Sequence, residues 1–192
     1  MGRAQFDQAG FLAAARALIA ERGPQAVTVD SVAERIGAPK GSFYYRFASR
    51  DALVGEVWLK TVLAYQEGFV AAIEAGEGLN AALHTPAWAR PHLDDARLLM
   101  LYSRHDFVQG EWPESLRRGV ADQADRFEAC LRTFARAAFG SAGPGELRRA
   151  TFVLAEVPIA AVKPHLQRRE RPPALVDELI AKTYHAIVGD GA

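Results

Sequence analysis

The residues of this chain predict an all-α fold, on three observations. Apolar residues recur three and four apart over most of the 192 positions, the spacing of helices with one buried face. Stretches in which β-branched and polar residues alternate, as in a half-buried strand, are missing. Glycine, proline and cap-forming residues punctuate the chain at helix-length intervals, as at Gly23–Pro24 and Gly143–Pro144.

Composition narrows the class. With 49% hydrophobic residues the chain has enough apolar material for a real core. Lysine plus arginine number 23 and so do aspartate plus glutamate, so a polyanionic partner must be met by a local patch. The single cysteine, Cys130, excludes an internal disulfide framework and a thiolate zinc site, and it reads as a small buried hydrophobe. The start lacks the apolar run of a signal peptide, and no stretch approaches the roughly 18 apolar residues of a membrane span. A cytoplasmic protein is the expectation.

The elements follow in order. Phe11, Ala15, Leu18 and Ile19 share one face of a first helix, opened by Asp7 as N-cap and stopped at Gly23–Pro24. A second helix starts after Thr28, another N-cap type, carries Val29, Val32, Ala33 and Ile36 on one stripe, and ends at Gly37. A third, short helix runs over residues 40–47 behind Pro39. Ser49 then caps a long helix from Arg50 to about Glu74, with Val54, Trp58, Val62, Tyr65, Phe69 and Ile73 facing inward. Residues 79–107 read as two helices bent at Pro86 and Pro91, 109–114 as a loop, and 115–140 as a long amphipathic helix. Residues 147–169 form a helix apolar nearly all round, with a kink expected at Pro158, and 174–189 form the last helix.

The third helix carries the chemistry. At about 100° per residue, Phe43, Tyr44 and Phe47 share a core-facing side, while Gly41, Ser42, Tyr45 and Arg46 share the other. A residue without a side chain, a hydroxyl, a phenol and a guanidinium suit close approach to base edges and phosphates. From Arg35 to Arg50 there are four cations, Arg35, Lys40, Arg46 and Arg50, and no carboxylate, and each phosphate so neutralised adds about 0.9 to the salt slope of log K. Arg50 and Thr28 open helices whose first N–H groups can also hold a phosphate. Two short helices around a Gly-Ala-Pro turn, the second with an exposed basic face, make a helix-turn-helix that lays its second helix in the major groove.

Residues 28–53, TVDSVAERIGAPKGSFYYRFASRDAL, resemble the DNA-binding signature of the TetR family of bacterial transcriptional repressors. Thr28, Gly37, Gly41, Ser42, Phe43, Tyr44, Tyr45, Phe47, Arg50, Asp51 and Leu53 fall where that pattern expects them. The resemblance implies that Lys40, Gly41 and Ser42 face bases or nearby phosphates and that Tyr45 and Arg50 meet the sugar-phosphate backbone. Tyr44 is read mainly as packing with some contact, and Arg46, where histidine is common, has a base or phosphate role left open. Arg3 is a further candidate phosphate contact. The division expected is a DNA-binding domain at 1–60 and a helical effector-binding and dimerisation domain at 61–192.

That second region holds no H-E-x-x-H, phosphate loop or nucleophile elbow, so neither an enzyme, a metal nor a cofactor is expected. Aromatic residues gather near its bends, and similar proteins keep an effector cavity here. Trp88, Tyr102, His105, Phe107, Phe127 and Phe134 are the candidate lining for a small, mainly apolar effector. The apolar excess of the last two helices implies burial on two sides, and Leu154, Val157, Ala161, Leu175, Leu179 and Thr183 are the candidate homodimer contacts. The resulting expectation is a ligand-responsive repressor that binds palindromic double-stranded operator DNA as a dimer. The competing reading is a helical enzyme or small-molecule carrier whose basic helix is incidental.

Overall fold

The computed structural model describes residues 6–107 and 112–189, without the side chains of residues 104, 105 and 115. Arg3, the His105 side chain and the 109–111 part of the expected loop therefore lie outside the described residues. Eleven α-helices and no strand are found among those described. Two compact units result: residues through Val62 with Arg97–Val120, and Leu63–Ala96 with Ala121 to the end. The first takes in a segment that lies beyond the expected boundary at residue 60, because Leu98 and Phe107 are buried in its core.

In the first unit, α1 (Gln8–Arg22) is capped by Asp7, whose carboxylate accepts from the Gly10 N–H at 2.8 Å. A single 3-10 turn at Pro24–Ala26 leads to α2 (Val29–Ile36). Thr28 Oγ1 accepts from the Ser31 N–H at 3.0 Å, and Ser31 Oγ accepts from the Thr28 N–H at 2.9 Å. This reciprocal box satisfies two otherwise orphaned donors. Gly37 ends α2 in the left-handed region, φ 66°, which lets the Ala38 N–H reach Ala33 O at 2.9 Å. α3 spans Lys40–Tyr44, shorter than the expected 40–47, and its last carbonyls pass into a turn that closes when the Phe47 N–H donates to Phe43 O at 2.9 Å. α4 (Arg50–Glu74) starts at Ser49, whose Oγ accepts from the Ala52 N–H.

Phe11, Leu18, Val32, Phe43, Phe47 and Leu53 fill the middle of this unit. The Phe11 ring meets Phe43 and Phe47 edge-on at 5.9 and 6.1 Å between centroids, a favoured aromatic geometry. α6 (Leu93–Leu101) supplies Leu98, and α7 (Arg104–Phe107), a separate short helix where the sequence reading ran one helix through residue 107, supplies Phe107.

The second unit is built from the rest of α4, α5 (Gly78–Ala89), the later part of α8 (Glu114–Phe139), α9 (Pro144–Thr151), α10 (Val157–Gln167) and α11 (Ala174–Val188). α5 packs on α10 and α11. Arg90 just past its end donates to Pro172 O at 2.9 Å and to Asp177 at 2.6 Å. Pro86 lies within α5 without ending it. Just before Pro158, where a kink was expected, lies a five-residue π turn, Phe152–Glu156, in which the Val157 N–H donates to Phe152 O. Pro158 has no N–H to donate to Leu154 O, and the widened turn spreads that loss over one loop of helix.

Candidate nucleic-acid interface

α2 and α3 present the predicted reading head. Phe43 is fully buried and Phe47 nearly so, as their stripe requires. Tyr44 departs from the packing role expected of it: it is 63% exposed, touching the core only through the edge of its ring against Phe43 at 5.4 Å. Tyr45 is 86% exposed. Lys40, Gly41 and Thr28 are also exposed, and Ser42 is half-buried.

Gly41 is informative because the fold does not need it. A Cβ there would meet nothing within 4 Å, and the backbone is not in the left-handed region. Glycine in a helix costs roughly 0.5–1 kcal/mol relative to alanine, so the chain gives up stability where only something outside it gains clearance. Gly41→Ala is expected to raise stability in urea unfolding by about 0.5–1 kcal/mol while weakening duplex binding.

The four cations are less free than their sequence neighbourhood implied, and folding brings carboxylates from elsewhere onto two of them, Arg35 and Lys40. Arg35 forms a paired contact with Glu21, with its two terminal nitrogens at 2.9 and 2.5 Å from the two oxygens. Lys40 Nζ lies 2.8 Å from Asp30, both side chains about two-thirds exposed. Such an exposed pair is worth about 0–1 kcal/mol, so Lys40 is readily released to a stronger anion. Arg46 folds back over its own helix, donating to Ser42 O at 3.0 Å and lying over the Tyr45 and Phe11 rings.

Arg50, expected to meet the sugar-phosphate backbone, is engaged within its own unit. It does not reach outward toward a sugar-phosphate backbone. Its Nε donates to Val27 O at 3.0 Å, Nη2 to Pro24 O at 2.5 Å, and Nη1 to Phe107 O and to Asp51 Oδ1, both at 2.8 Å. Asp30, paired with Lys40, is the interface neighbour that sequence reasoning missed. It lies in the first turn of α2, ten positions away, and no local spacing rule links the two.

The five candidate effector residues with described side chains are divided between the two units. Phe107 is fully buried in the first unit, with the Tyr102 ring perpendicular to it at 6.2 Å, and Tyr102 packs over Gly23. Trp88, Phe127 and Phe134 belong to the second unit, but at separate places. Trp88 meets Tyr65 at 5.2 Å, Phe127 meets Phe69 at 5.2 Å, and Phe134 meets Tyr184 at 6.2 Å. Phe134 borders an apolar cavity of about 90 Å³ with Ile73, Ala137, Ala138 and Tyr184. Drug-sized ligands need roughly 300 Å³ or more, so this cavity accommodates one only by widening.

Polar groups unnoticed in the sequence sit inside the same unit. The hydroxyls of Tyr65 and Thr85 share a hydrogen bond of 2.8 Å, and His84 Nε2 lies 2.7 Å from Tyr65 O. A carbonyl only accepts, so this nitrogen carries the proton. Burial raises the Tyr65 phenol pKa, against the pull of the Thr85 hydrogen bond. It lowers the His84 imidazole pKa, against the backbone hydrogen bond. Gln66, on the same buried stripe of α4, is 5% exposed, and its Oε1 has no hydrogen-bond partner among the described residues. Cys130 is buried as expected, and burial pushes its thiol pKa up.

The candidate dimer residues divide as well. Leu154 is fully buried within its own chain, on the turn of π helix, and is withdrawn from the outer face. Leu175 and Leu179 are 58% and 52% exposed one turn apart on α11. Val157, Ala161 and Thr183 are half-buried. Phe152, 40% exposed, is an apolar surface residue that a single-phase helical wheel did not separate from its buried neighbours.

Residues 11–57 match the family model described as bacterial regulatory proteins, tetR family. Comparison with curated proteins returned no match. Among solved structures, a tetR family transcription regulator from Shewanella sp. PV-4 superposes with a TM-score of 0.68 at 16% identity, covering 94% of this chain and 97% of that one. The transcriptional regulator FadR from Bacillus subtilis, in complex with stearoyl-CoA, gives 0.63 at 12%, covering 95% and 99%. The reduced form of E. coli NemR gives 0.62 at 18%, covering 94% and 96%. At these identities the superpositions establish the fold. Among the described residues no helix is long and apolar enough to cross a membrane, and no group of histidine, cysteine and carboxylate side chains is placed to hold a metal ion. With the signature residues on an exposed two-helix head and the family model lying across it, the first unit carries a DNA-binding segment that matches the bacterial regulatory proteins of the tetR family, and the chain is a DNA-binding transcriptional regulator.

Proposed function

We propose that the protein is a ligand-responsive repressor that binds a palindromic operator as a homodimer through α3 of each protomer. The observation that carries this reading is the outer side of α3, where Gly41 leaves open space and Lys40, Tyr44 and Tyr45 are exposed. With Arg50 turned inward, Lys40 and Arg46 of two protomers are the cations near phosphate. Four contacts give log K a salt slope of about 3–4. Ser42, Tyr45 and Thr28 then supply neutral hydrogen bonds that salt does not screen.

The effector is read as a small, mainly apolar molecule held in the second unit. Rings of Tyr65, Phe69, Phe127 and Phe134 supply apolar surface there, and the Tyr65–Thr85 pair and the Gln66 amide supply orienting polar groups. The structural neighbour FadR was solved with stearoyl-CoA, which favours long apolar compounds as first probes. A ligand shifts the regulator only through unequal affinity for its DNA-bound and released arrangements.

Fluorescence anisotropy with a duplex selected from a randomised pool tests the DNA reading. Lys40→Gln is expected to lower the salt slope by about 2 for the dimer. Tyr45→Phe is expected to cost roughly 1.5 kcal/mol per reading head with little change of slope. Wild-type affinity in both variants rejects the interface. For the effector, a thermal shift equivalent to about 2.7 kcal/mol is expected at a hundred times the dissociation constant, and a panel of fatty acids and acyl thioesters in which nothing shifts the transition rejects the apolar-effector reading.

A further inference from the structure

We infer that Arg50 is a positioning residue for DNA reading, tying the turn that launches α2 to the end of α7, and not a phosphate contact. The inference rests on the reading of α3 as the duplex-contacting helix. Its basis is the set of acceptors that one guanidinium collects. Three are main-chain carbonyls, at Pro24, Val27 and Phe107, and the fourth is the neighbouring Asp51 carboxylate. The side chain is 19% exposed. These carbonyls come from two stretches of chain, one 23 to 26 residues and the other 57 residues away from Arg50. Turning outward to a phosphate would leave all three without this donor, exchanging several charge-assisted hydrogen bonds for one or two.

What is held matters for reading. Pro24 begins the 3-10 turn and Val27 ends it, and the next residue is Thr28, the N-cap of α2. Pinning both carbonyls therefore sets where α2 starts. α2 leads through Gly37 directly into α3, so a shift at its first turn is passed to the side chains that face the groove. The Phe107 carbonyl brings the α7 turn onto the same guanidinium, and Gln25 Nε2 reinforces the join by donating to Asp106 O at 3.2 Å. Only a planar fork of five donors satisfies acceptors in so many directions; an ammonium group on a flexible stem does not reproduce it. Errors in seating α3 should penalise the selected sequence, whereas sequence-independent phosphate attraction depends on outward-facing cations such as Lys40, which substitution of the inward-turned Arg50 leaves in place.

The test compares full-length wild type with Arg50→Lys, Arg50→Gln and Lys40→Gln. The probes are the best duplex that wild type selects from a randomised pool and a shuffled duplex of the same composition, each titrated over a salt series. Both Arg50 variants are expected to lose about tenfold or more on the selected duplex, the scale of a mismatched base pair. They should bind the shuffled duplex as wild type does and keep the wild-type salt slope, while Lys40→Gln lowers it. Wild-type affinity in Arg50→Lys together with a lowered slope in Arg50→Gln identifies a phosphate contact and overturns the inference. Wild-type behaviour of both Arg50 variants overturns it too. If Lys40→Gln and Tyr45→Phe are also silent, the α3 reading fails and takes the role of Arg50 with it; if those two are damaging, only the role of Arg50 fails. Should the Arg50 variants not fold, the Nε–H resonance of Arg50 in the wild-type protein decides. Slow solvent exchange that persists on adding duplex supports the inference, and a duplex-induced change of shift and exchange overturns it.

Discussion

Leu179→Arg is expected to convert the proposed dimer to monomers in sedimentation and to lower affinity for a palindromic duplex by about a hundredfold or more. The reasoning starts from Leu175 and Leu179, both more than half exposed on α11, with half-buried Val157, Ala161 and Thr183 as further candidates. A large apolar side chain taken from water contributes roughly 1.5–3 kcal/mol, and a two-fold interface uses each such residue twice. Placing a guanidinium at 179, one turn from the exposed Lys182, would set cations facing cations across the axis. The monomer keeps an intact reading head but loses the second, tethered one, and tethering is what makes two modest half-site affinities act as one large one. A dimeric Leu179→Arg protein would place the interface elsewhere.

Phe11→Ala is expected to destabilise the first unit by about 3–5 kcal/mol, the usual cost of deleting a buried aromatic ring. Phe11 is fully buried, and its ring meets Phe43 of α3, Phe47 of the following turn and the guanidinium of Arg46. α3 has only five residues, far short of the length at which a helix holds itself together, so its shape depends on the ring beneath it. Against a whole-domain stability of about 5–15 kcal/mol, such a loss should melt the head. Urea unfolding followed by circular dichroism should show an early transition, and duplex binding should vanish with it. A single transition at the wild-type midpoint would mean that α3 is held by something other than its aromatic underside.

Features governed by neighbours along the chain were legible in advance. Asp7, Thr28 and Ser49 cap helices as their residue types predict, because a cap is a bond to an N–H two or three residues on. Gly37 closes α2 because only a residue without Cβ turns left-handed there at no cost. What escaped was decided at long range. Nothing near Arg50 announces that the carbonyls of Pro24, Val27 and Phe107 converge on it, so its charge, its place at the start of α4 and the family resemblance suggested a phosphate. Phe107 looked like a cavity wall because aromatic residues serve equally in cavities and in cores. Its burial beside Leu98 and Phe11 follows from tertiary packing that no helical wheel contains. The exposed side of α3 lay between these extremes: periodicity placed Tyr45 outward correctly, but it assigned Tyr44 inward from a helix longer than the one formed.

The π turn at Phe152–Glu156 amounts to one surplus residue in an otherwise regular rod, and a surplus residue changes the phase of everything downstream. Buried positions recur at Ala150, Leu154, Pro158, Val162 and Leu166, every fourth residue, a rhythm that an ideal α-helix would carry round by about 40° at each step. The widened loop takes up part of that drift and keeps one edge facing home across seventeen positions. Deleting a single residue from it would swing the remainder of the rod by about 100°, sending Val162 and Leu166 toward water.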